Sequence, residues 1–537
     1  MNESKCRIVF DVNYSCKEKK NYTEQLFKSF QLSQRVPEDN FYRRLKDLLN
    51  LQWLYSETKN YYGTEGQQSI DPVVFFKLIL IGYLENLGSD RRIINTVSMR
   101  LDMLFFIGYD IDEALPWHST LSRTRQLYGE ALFKKLFKQV LKQCIDKGMV
   151  TGRRQAMDSA PVKANASMDS LKEKEVLEDG DDYTDELQDN DEEKSSNRKT
   201  VSPDRKKSVD QHHNWKAKAY KGMPKGKSLT KEESEDHVRP KFVSNHTHYS
   251  STDPEARISV KPGKPRQLNY LAQVAVDTAH HVITQIQSDY ANKKDSQCLP
   301  SLLKNTITNL KEEGLQIEEV LADAGYSSGE ALQALVDNDI EGYIPNFGQY
   351  KNSREGFSYD KENDRYICSQ GKYLEFKKIG QSHGDLYKMR SYRSSSKDCG
   401  QCPLRSKCIG KSNFKKIEDT IDKPLYDQMY ARLQTPKAKR MKKLRSSTVE
   451  PVLGTLVNYL NMRRVNTRGI RQANKCMLMA AVAYNLKKLM KWEQRKVQIA
   501  VMAMKKGKES LCFYFLRLRQ SLAANNANPH IPFFCNY

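Results

Sequence analysis

Over the first 150 residues apolar side chains return every three or four positions, the period of a helix and not of a strand. Asp71-Pro72 opens the clearest case, with Asp as N-cap and Pro in the first turn. Val73, Val74, Leu78, Ile81 and Leu84 follow at helical spacing. The stretch from Val73 to Leu84 predicts a buried helix. At about a dozen residues, with Lys77 inside, it is too short to span a membrane. Gly88-Ser89-Asp90 breaks and recaps the chain, so a second helix is expected with Arg91, Arg92 and Arg100 exposed and Ile93, Ile94 and Val97 buried. A longer helix is expected from Ser119-Thr120 through Leu132, Leu136, Val140 and Ile145, closed by Lys147-Gly148. Short helices with Arg on one face suit a DNA-binding bundle and equally a helical packing or dimerisation domain. The pattern does not separate the two.

Near Arg153 the period changes. Gln155-Ala156-Met157-Asp158 reads as a strand ending in a carboxylate. Leu268–Val276 and Val282–Gln287 alternate on either side of the turn Asp277-Thr278-Ala279-His280-His281, which predicts a hairpin. A helix is expected from Ser296 to Glu313, a buried strand from Ile317 to Ala322 that delivers Asp323, a helix from Gly329 to Asn338 and a short strand from Gly342 to Pro345. This order implies an α/β fold, a mixed sheet with flanking helices, preceded by an all-α N-terminal domain. Two segments interrupt it. One, residues 168–266, is polar and partly disordered in expectation: Asp169 to Glu193 holds thirteen acidic residues and cannot bury a core. The other, 348–425, is rich in Tyr and carries Cys368, Cys399, Cys402 and Cys408. The expected domains are therefore 1–150, helical; 151–347 with 426–495, the α/β core; the two insertions; and a tail, 496–537.

Charge narrows the class. The 537 residues carry a net charge of +22, the electrostatic footprint of a partner with a phosphate backbone. Six of the nine residues from Lys437 to Arg445 are basic: Lys437, Lys439, Arg440, Lys442, Lys443 and Arg445. With Arg463, Arg464, Arg468 and Arg471 they are the candidate DNA contacts. Met1–Phe10 has charges and no apolar run, so no secretory leader is expected, and the expected location is the cytoplasm, in association with the nucleoid.

Three carboxylates stand in apolar settings: Asp158, Asp323 followed by Gly325, and Glu450 before Pro451. Each alone has a structural reading, a turn or a surface ion pair. Together they suit oxygen ligation of Mg²⁺ or Mn²⁺ and in-line displacement at phosphodiesters. Pro451 disfavours helical geometry at Glu450, so a helix is expected to start or kink there. Asp277 and Asp295 read as turn and cap residues and stay outside the site. Cys399-Gly400-Gln401-Cys402 is a CxxC, and with Cys368 and Cys408 it can supply four thiolates to a structural Zn²⁺ or remain four reduced thiols.

The pieces His118-Ser119-Thr120, Asp158-Ser159-Ala160-Pro161, Ala322-Asp323-Ala324-Gly325-Tyr326, Val449-Glu450-Pro451-Val452-Leu453-Gly454 and Ala483-Tyr484-Asn485-Leu486, in this order, resemble the DDE-type transposases of bacterial insertion sequences. The resemblance implies a ribonuclease H-like catalytic domain behind a helical N-terminal domain. It implies Asp158, Asp323 and Glu450 as the metal-binding triad, with cleavage at an element's ends and joining to target DNA, double-stranded DNA as partner, and a homo-oligomer on that DNA. Relatives usually place Lys or Arg seven residues after the Glu. Here that position is Val457. A transposase-derived DNA-binding protein without catalysis, and a metal-dependent nuclease or resolvase, remain alternatives.

Overall fold

The structure, a computed structural model, describes residues 30–63, 69–173, 245, 248–259, 266–346, 348, 353–382 and 387–495. Most of the acidic stretch and the tail 496–537 lie outside these residues.

Asp71 caps the helix Pro72–Leu84 as its sequence demands, accepting from the Val73 and Val74 N–H groups at 2.7 and 3.0 Å. That helix is buried nearly all round, and burial lowers the Lys77 ammonium to about 8. The expected long helix is in fact two, His118–Leu127 and Glu130–Asp146, parted at Tyr128-Gly129. Tyr128 turns into the core against Phe75 and Phe76, which redirects the chain. Arg91 and Arg92 are exposed as expected, but Arg100 is tied to Asp102 and Glu85 at 2.6 and 3.3 Å.

The strands in chain order are β1 (Arg154–Lys163), β2 (Leu171–Glu173), β3 (His248–Ser250), β4 (Arg257–Ser259), β5 (Gln267–Asp277), β6 (Ile283–Tyr290), β7 (Glu319–Leu321) and β8 (Glu341–Tyr343). The central sheet is mixed. β1 pairs antiparallel with β5 on one side and parallel with β7 on the other, β7 pairs parallel with β8, and β5 carries β4 and β6 along its far edge. The β5–β6 hairpin turns where the alternation predicted. Helices Asp295–Lys311, Gly329–Asp337 and Pro436–Tyr459 pack on the sheet. β2 and β3 join the two ends of the polar insertion, with Leu171 opposite Ser250.

β1 does not stop at Asp158 but continues to Lys163. The turn-prone Ser-Ala-Pro is held in the strand by β5, which pairs as far as Lys163↔Asn269. The Lys163 N–H points away from β5 to Arg463 O at 3.1 Å, and Pro161, two residues earlier, shares that direction. β7 has already ended there, so the N–H that proline lacks has no strand to bond.

The second insertion folds as an antiparallel sheet of β9 (Phe357–Asp360), β10 (Arg365–Cys368), β11 (Tyr373–Ser382), β12 (Tyr387–Ser394) and β13 (Lys416–Thr420) around its own small core of Tyr366, Leu374, Tyr392 and Ile417. Elsewhere one apolar cluster runs from the N-terminal helices through the central sheet to the last helix, residues 470–495. Polar ties cross the same boundary: the Lys475 ammonium, buried, donates to Arg125 O and Tyr128 O at 2.9 and 2.6 Å. No helix among the described residues is long and apolar enough to cross a membrane.

Candidate catalytic site

Register brings two of the carboxylates together. β1 and β7 are parallel neighbours whose last paired residues are Ala156 and Leu321. Asp158 and Asp323 each stand two residues beyond that pair, Asp158 within β1 where its pairing with β7 has stopped and Asp323 just past the end of β7. Strand side chains alternate with period two, so equal offsets leave both on one face, beside the point where β7 ends and β1 runs on. The Asp158 carboxylate takes the Ser159 N–H at 2.7 Å, and Asp323 caps a short 3₁₀ turn by accepting the Gly325 N–H at 2.9 Å.

The third carboxylate comes from the helix Pro436–Tyr459, packed against β1 through Val449, Val452 and Leu456, each worth about 1.5–3 kcal/mol when fully buried. Glu450 and Pro451 lie inside this one helix and not at its start, because the buried residues around them hold it to the sheet through the missing hydrogen bond. A Cβ at Gly454 would meet nothing within 4 Å, so the face of Glu450 is open.

Arg445, five residues before Glu450, bridges the helix and the sheet. Its guanidinium donates to Asp158 Oδ2 at 2.9 Å and to Glu450 Oε1 at 3.2 Å. Burial pushes the Asp158 carboxyl above the usual carboxylate range. The Ser159 N–H and Arg445 pull it back, and the Asp323 charge adds to the rise.

A fourth acid stands beside the pair. A Cβ built on Gly325 would lie 3.0 Å from Asp323 Oδ1 and 3.3 Å from Asp295 Oδ2. Asp295 is the first residue of its helix, with Lys294 as the N-cap, and its carboxylate accepts from Gln273 Nε2 at 3.0 Å. The cap role expected for it is therefore wrong: the hydrogen bond runs to β5. Gln273 in turn accepts from the buried Tyr326 hydroxyl, which burial and then Asp295, Asp158 and Asp323 hold in its protonated form. Only Gly325 signalled this crowding in the sequence. Asp277 does serve its turn, accepting from Ala279 N at 2.9 Å, and it also ties down Gly152 and Gln155.

Of the candidate DNA contacts, Lys439, Arg440, Lys442, Lys443, Arg463, Arg464, Arg468 and Arg471 are exposed. Lys437 is engaged elsewhere. It donates to the buried Glu319 at 2.7 Å and to Glu341 at 2.8 Å, fixing the helix start to β7 and β8. Arg445 lies in the carboxylate site itself. Val457 packs partly against the core, so the position that holds a cation in relatives faces inward here.

The cysteines do not assemble. Cys368 ends β10, Cys399 and Cys408 sit on separate short helices, and the Cys399 thiol lies 2.9 Å from the Ser394 hydroxyl. Among the described residues no three His, Cys, Asp or Glu side chains are grouped to hold a metal ion. The four thiolates that could have held zinc are thus not gathered among the described residues: Cys368 is at a strand end, Cys399 and Cys408 are on two short helices, and Cys402 lies between those helices. The three acids are not grouped closely enough for one ion either, with Arg445 inserted between Asp158 and Glu450.

Two family models match the chain. Residues 30–127 match a transposase domain (DUF772), and residues 367–490 match a transposase DDE domain. The first covers the N-terminal helices as far as Leu127, and the second includes Glu450 and Arg445. No curated protein matches the chain.

Proposed function

We propose that this chain, which belongs to the DDE-type transposases of insertion sequences, cuts double-stranded DNA at the ends of an element and joins the freed 3′ ends to target DNA. The observation that carries this reading is the shared offset of Asp158 and Asp323 beyond Ala156↔Leu321, with Glu450 joined to Asp158 through Arg445. Carboxylates at matching positions just past the paired stretch of neighbouring parallel strands in a mixed sheet, faced by a helix with the third acid, support a ribonuclease H-like catalytic domain.

Asp158, Asp323 and Glu450 would hold Mg²⁺ or Mn²⁺, whose preference is for hard oxygen donors of this kind. Such ions activate the attacking oxygen and stabilise the leaving one. The chain's own side chains set the terms. Asp323 is oriented by the Gly325 N–H, Asp158 by the Ser159 N–H, and the Asp295–Gln273–Tyr326 network backs both. Arg445, the cation already among the acids, would turn to the DNA phosphate as the carboxylates take up metal. The exposed Lys439, Arg440, Lys442 and Lys443 lie on the same helix, about two to three turns before Glu450, and would follow the DNA backbone toward the cut.

Nicking of a duplex bearing the element's end, with Mg²⁺ and then with EDTA, tests the reading. Asp158→Asn, Asp323→Asn and Glu450→Gln are each expected to abolish nicking and leave DNA binding in place. Normal nicking by any of them removes that residue from the site. A second reading, a DNA-binding protein without catalysis, draws on Val457 facing the core. It predicts tight binding and no nicking by the wild-type chain.

A further inference from the structure

The last helix carries a second basic surface, apart from the run at Lys437–Arg445. Tyr484, Lys487, Lys488, Lys491, Trp492 and Arg495 recur at helical spacing, and all six line one wall of a single pocket of about 470 Å³. Pro451 and Thr455 form another wall, on the helix of Glu450 and directly after it. The turn of the β5–β6 hairpin supplies a third, with His280 and His281. The rings of His280 and Trp492 lie 4.4 Å apart at 51°.

No acidic side chain among the described residues lines this pocket. Glu493, the acid on the same helical turn, pairs instead with Lys147 at 2.8 Å. Among the described residues no carboxylate pairs with Lys487, Lys488, Lys491 or Arg495, although Lys487 donates to Leu84 O at 2.9 Å. Burial and the neighbouring charges of Lys491 and Arg495 both depress the Lys488 ammonium. A fold that gathers cations without counter-charge against aromatic rings carries a standing repulsion. A polyanion with flat bases relieves it. A duplex keeps its bases stacked inside, out of reach of rings set in a pocket. An unpaired strand offers both phosphate and base.

We propose that this pocket binds single-stranded DNA beside the cut, with backbone phosphates on Lys488, Lys491 and Arg495 and a base against Trp492. The assignment rests on the transposase reading for the identity of its ligand, and the wall formed by Pro451 and Thr455 directly follows Glu450 on its helix.

Binding of fluorescein-labelled oligodeoxythymidylate to the full chain tests it by anisotropy across a salt series, with no cleavage involved. Trp492→Ala is expected to weaken oligodeoxythymidylate roughly 5- to 150-fold, the value of one stacked base, while Trp492→Phe retains most of the affinity. Lys488→Glu with Lys491→Glu is expected to weaken it at least about tenfold and to reduce the slope of log K against log salt by about 0.7 for each phosphate no longer neutralised. Lys439→Glu, on the other basic surface, should leave this probe nearly unaffected and weaken duplex binding. Unchanged oligodeoxythymidylate binding in the Trp492 and Lys488 variants, with unaltered thermal melting, overturns the proposal. So does a Trp492→Ala loss that is equal for duplex and single strand. Retained nicking in the triad variants bears on the transposase reading alone, so the two failures are distinguishable.

Discussion

Arg445 holds Asp158 across 287 residues of sequence: its Nη1 lies 2.9 Å from Asp158 Oδ2, on side chains that are each 17% exposed. The same guanidinium reaches Glu450, which is more than half exposed, so that second arm adds little stability. The pair fixes the helix of Glu450 to the central strand and keeps a positive charge among the acids.

Arg445→Gln removes that charge. The metal-free chain is expected to lose about 1–3 kcal/mol, most of it from leaving Asp158 half-buried without its charged donor. Urea denaturation in EDTA measures this. Mn²⁺ is expected to bind the variant more tightly than the wild type in the absence of DNA, because no internal cation competes, and calorimetric titration reads it. Weaker Mn²⁺ binding would show that Arg445 supports the ion and does not compete with it.

The pH dependence of stability should carry opposite signs at two acids. Asp158 sits above the usual carboxylate range, so the folded chain takes up its proton more readily than the unfolded chain. Its contribution to stability is lost as pH rises through that raised value and restored as pH falls. The stability difference between wild type and Asp158→Asn should therefore move in the wild type's favour on acidification. Burial opposes ionisation of Glu319 too, but hydrogen bonds from Lys437 and Arg154 outweigh it and hold it below the usual range. Its contribution is present above the ordinary Glu range and lost as pH falls through the depressed value. Glu319→Gln should thus cost stability at neutral pH and little in acid. Denaturation curves over a pH series check both.

Gly325→Ala places a methyl group 3.0 Å from Asp323 Oδ1 and 3.3 Å from Asp295 Oδ2. One carboxylate must move by a few tenths of an ångström. Nicking is expected to fall on the order of 10- to 100-fold while the fold survives, since a small displacement at reacting atoms is amplified in rate. Equal nicking by Gly325→Ala and the wild type would show that Asp323 is not under positional constraint.

Lys437 and Lys443 look alike in sequence and should behave differently. Lys437→Met leaves the buried Glu319 with Arg154 alone and is expected to cost about 1–3 kcal/mol in stability without changing the salt dependence of DNA binding. Lys443→Met, on the exposed face, should leave stability unchanged and reduce the salt slope by about 0.9, the value of one phosphate on duplex DNA. Parallel melting and salt-titration experiments separate the roles.

Local chemistry determined a good deal of this protein. Period and capping residues were enough for the buried helix after Asp71, the β5–β6 hairpin and the helices near Asp295 and Gly329, because each depends on neighbours within a few positions. Asp158, Asp323 and Glu450 were legible as candidates for the same reason, each set in an apolar run. What the sequence left open is what depends on distant partners. β1 passes through Pro161 only because β5 pairs with it and β7 has stopped, and a helix runs through Pro451 only because its apolar side is seated on β1. Lys437 and Arg445 became structural ties, and Asp295 joined the carboxylates, when strand register and helix packing brought opposite charges and hydrogen-bond donors into reach. Charge acts over a few ångströms of space, and only the folded chain decides which residues share them.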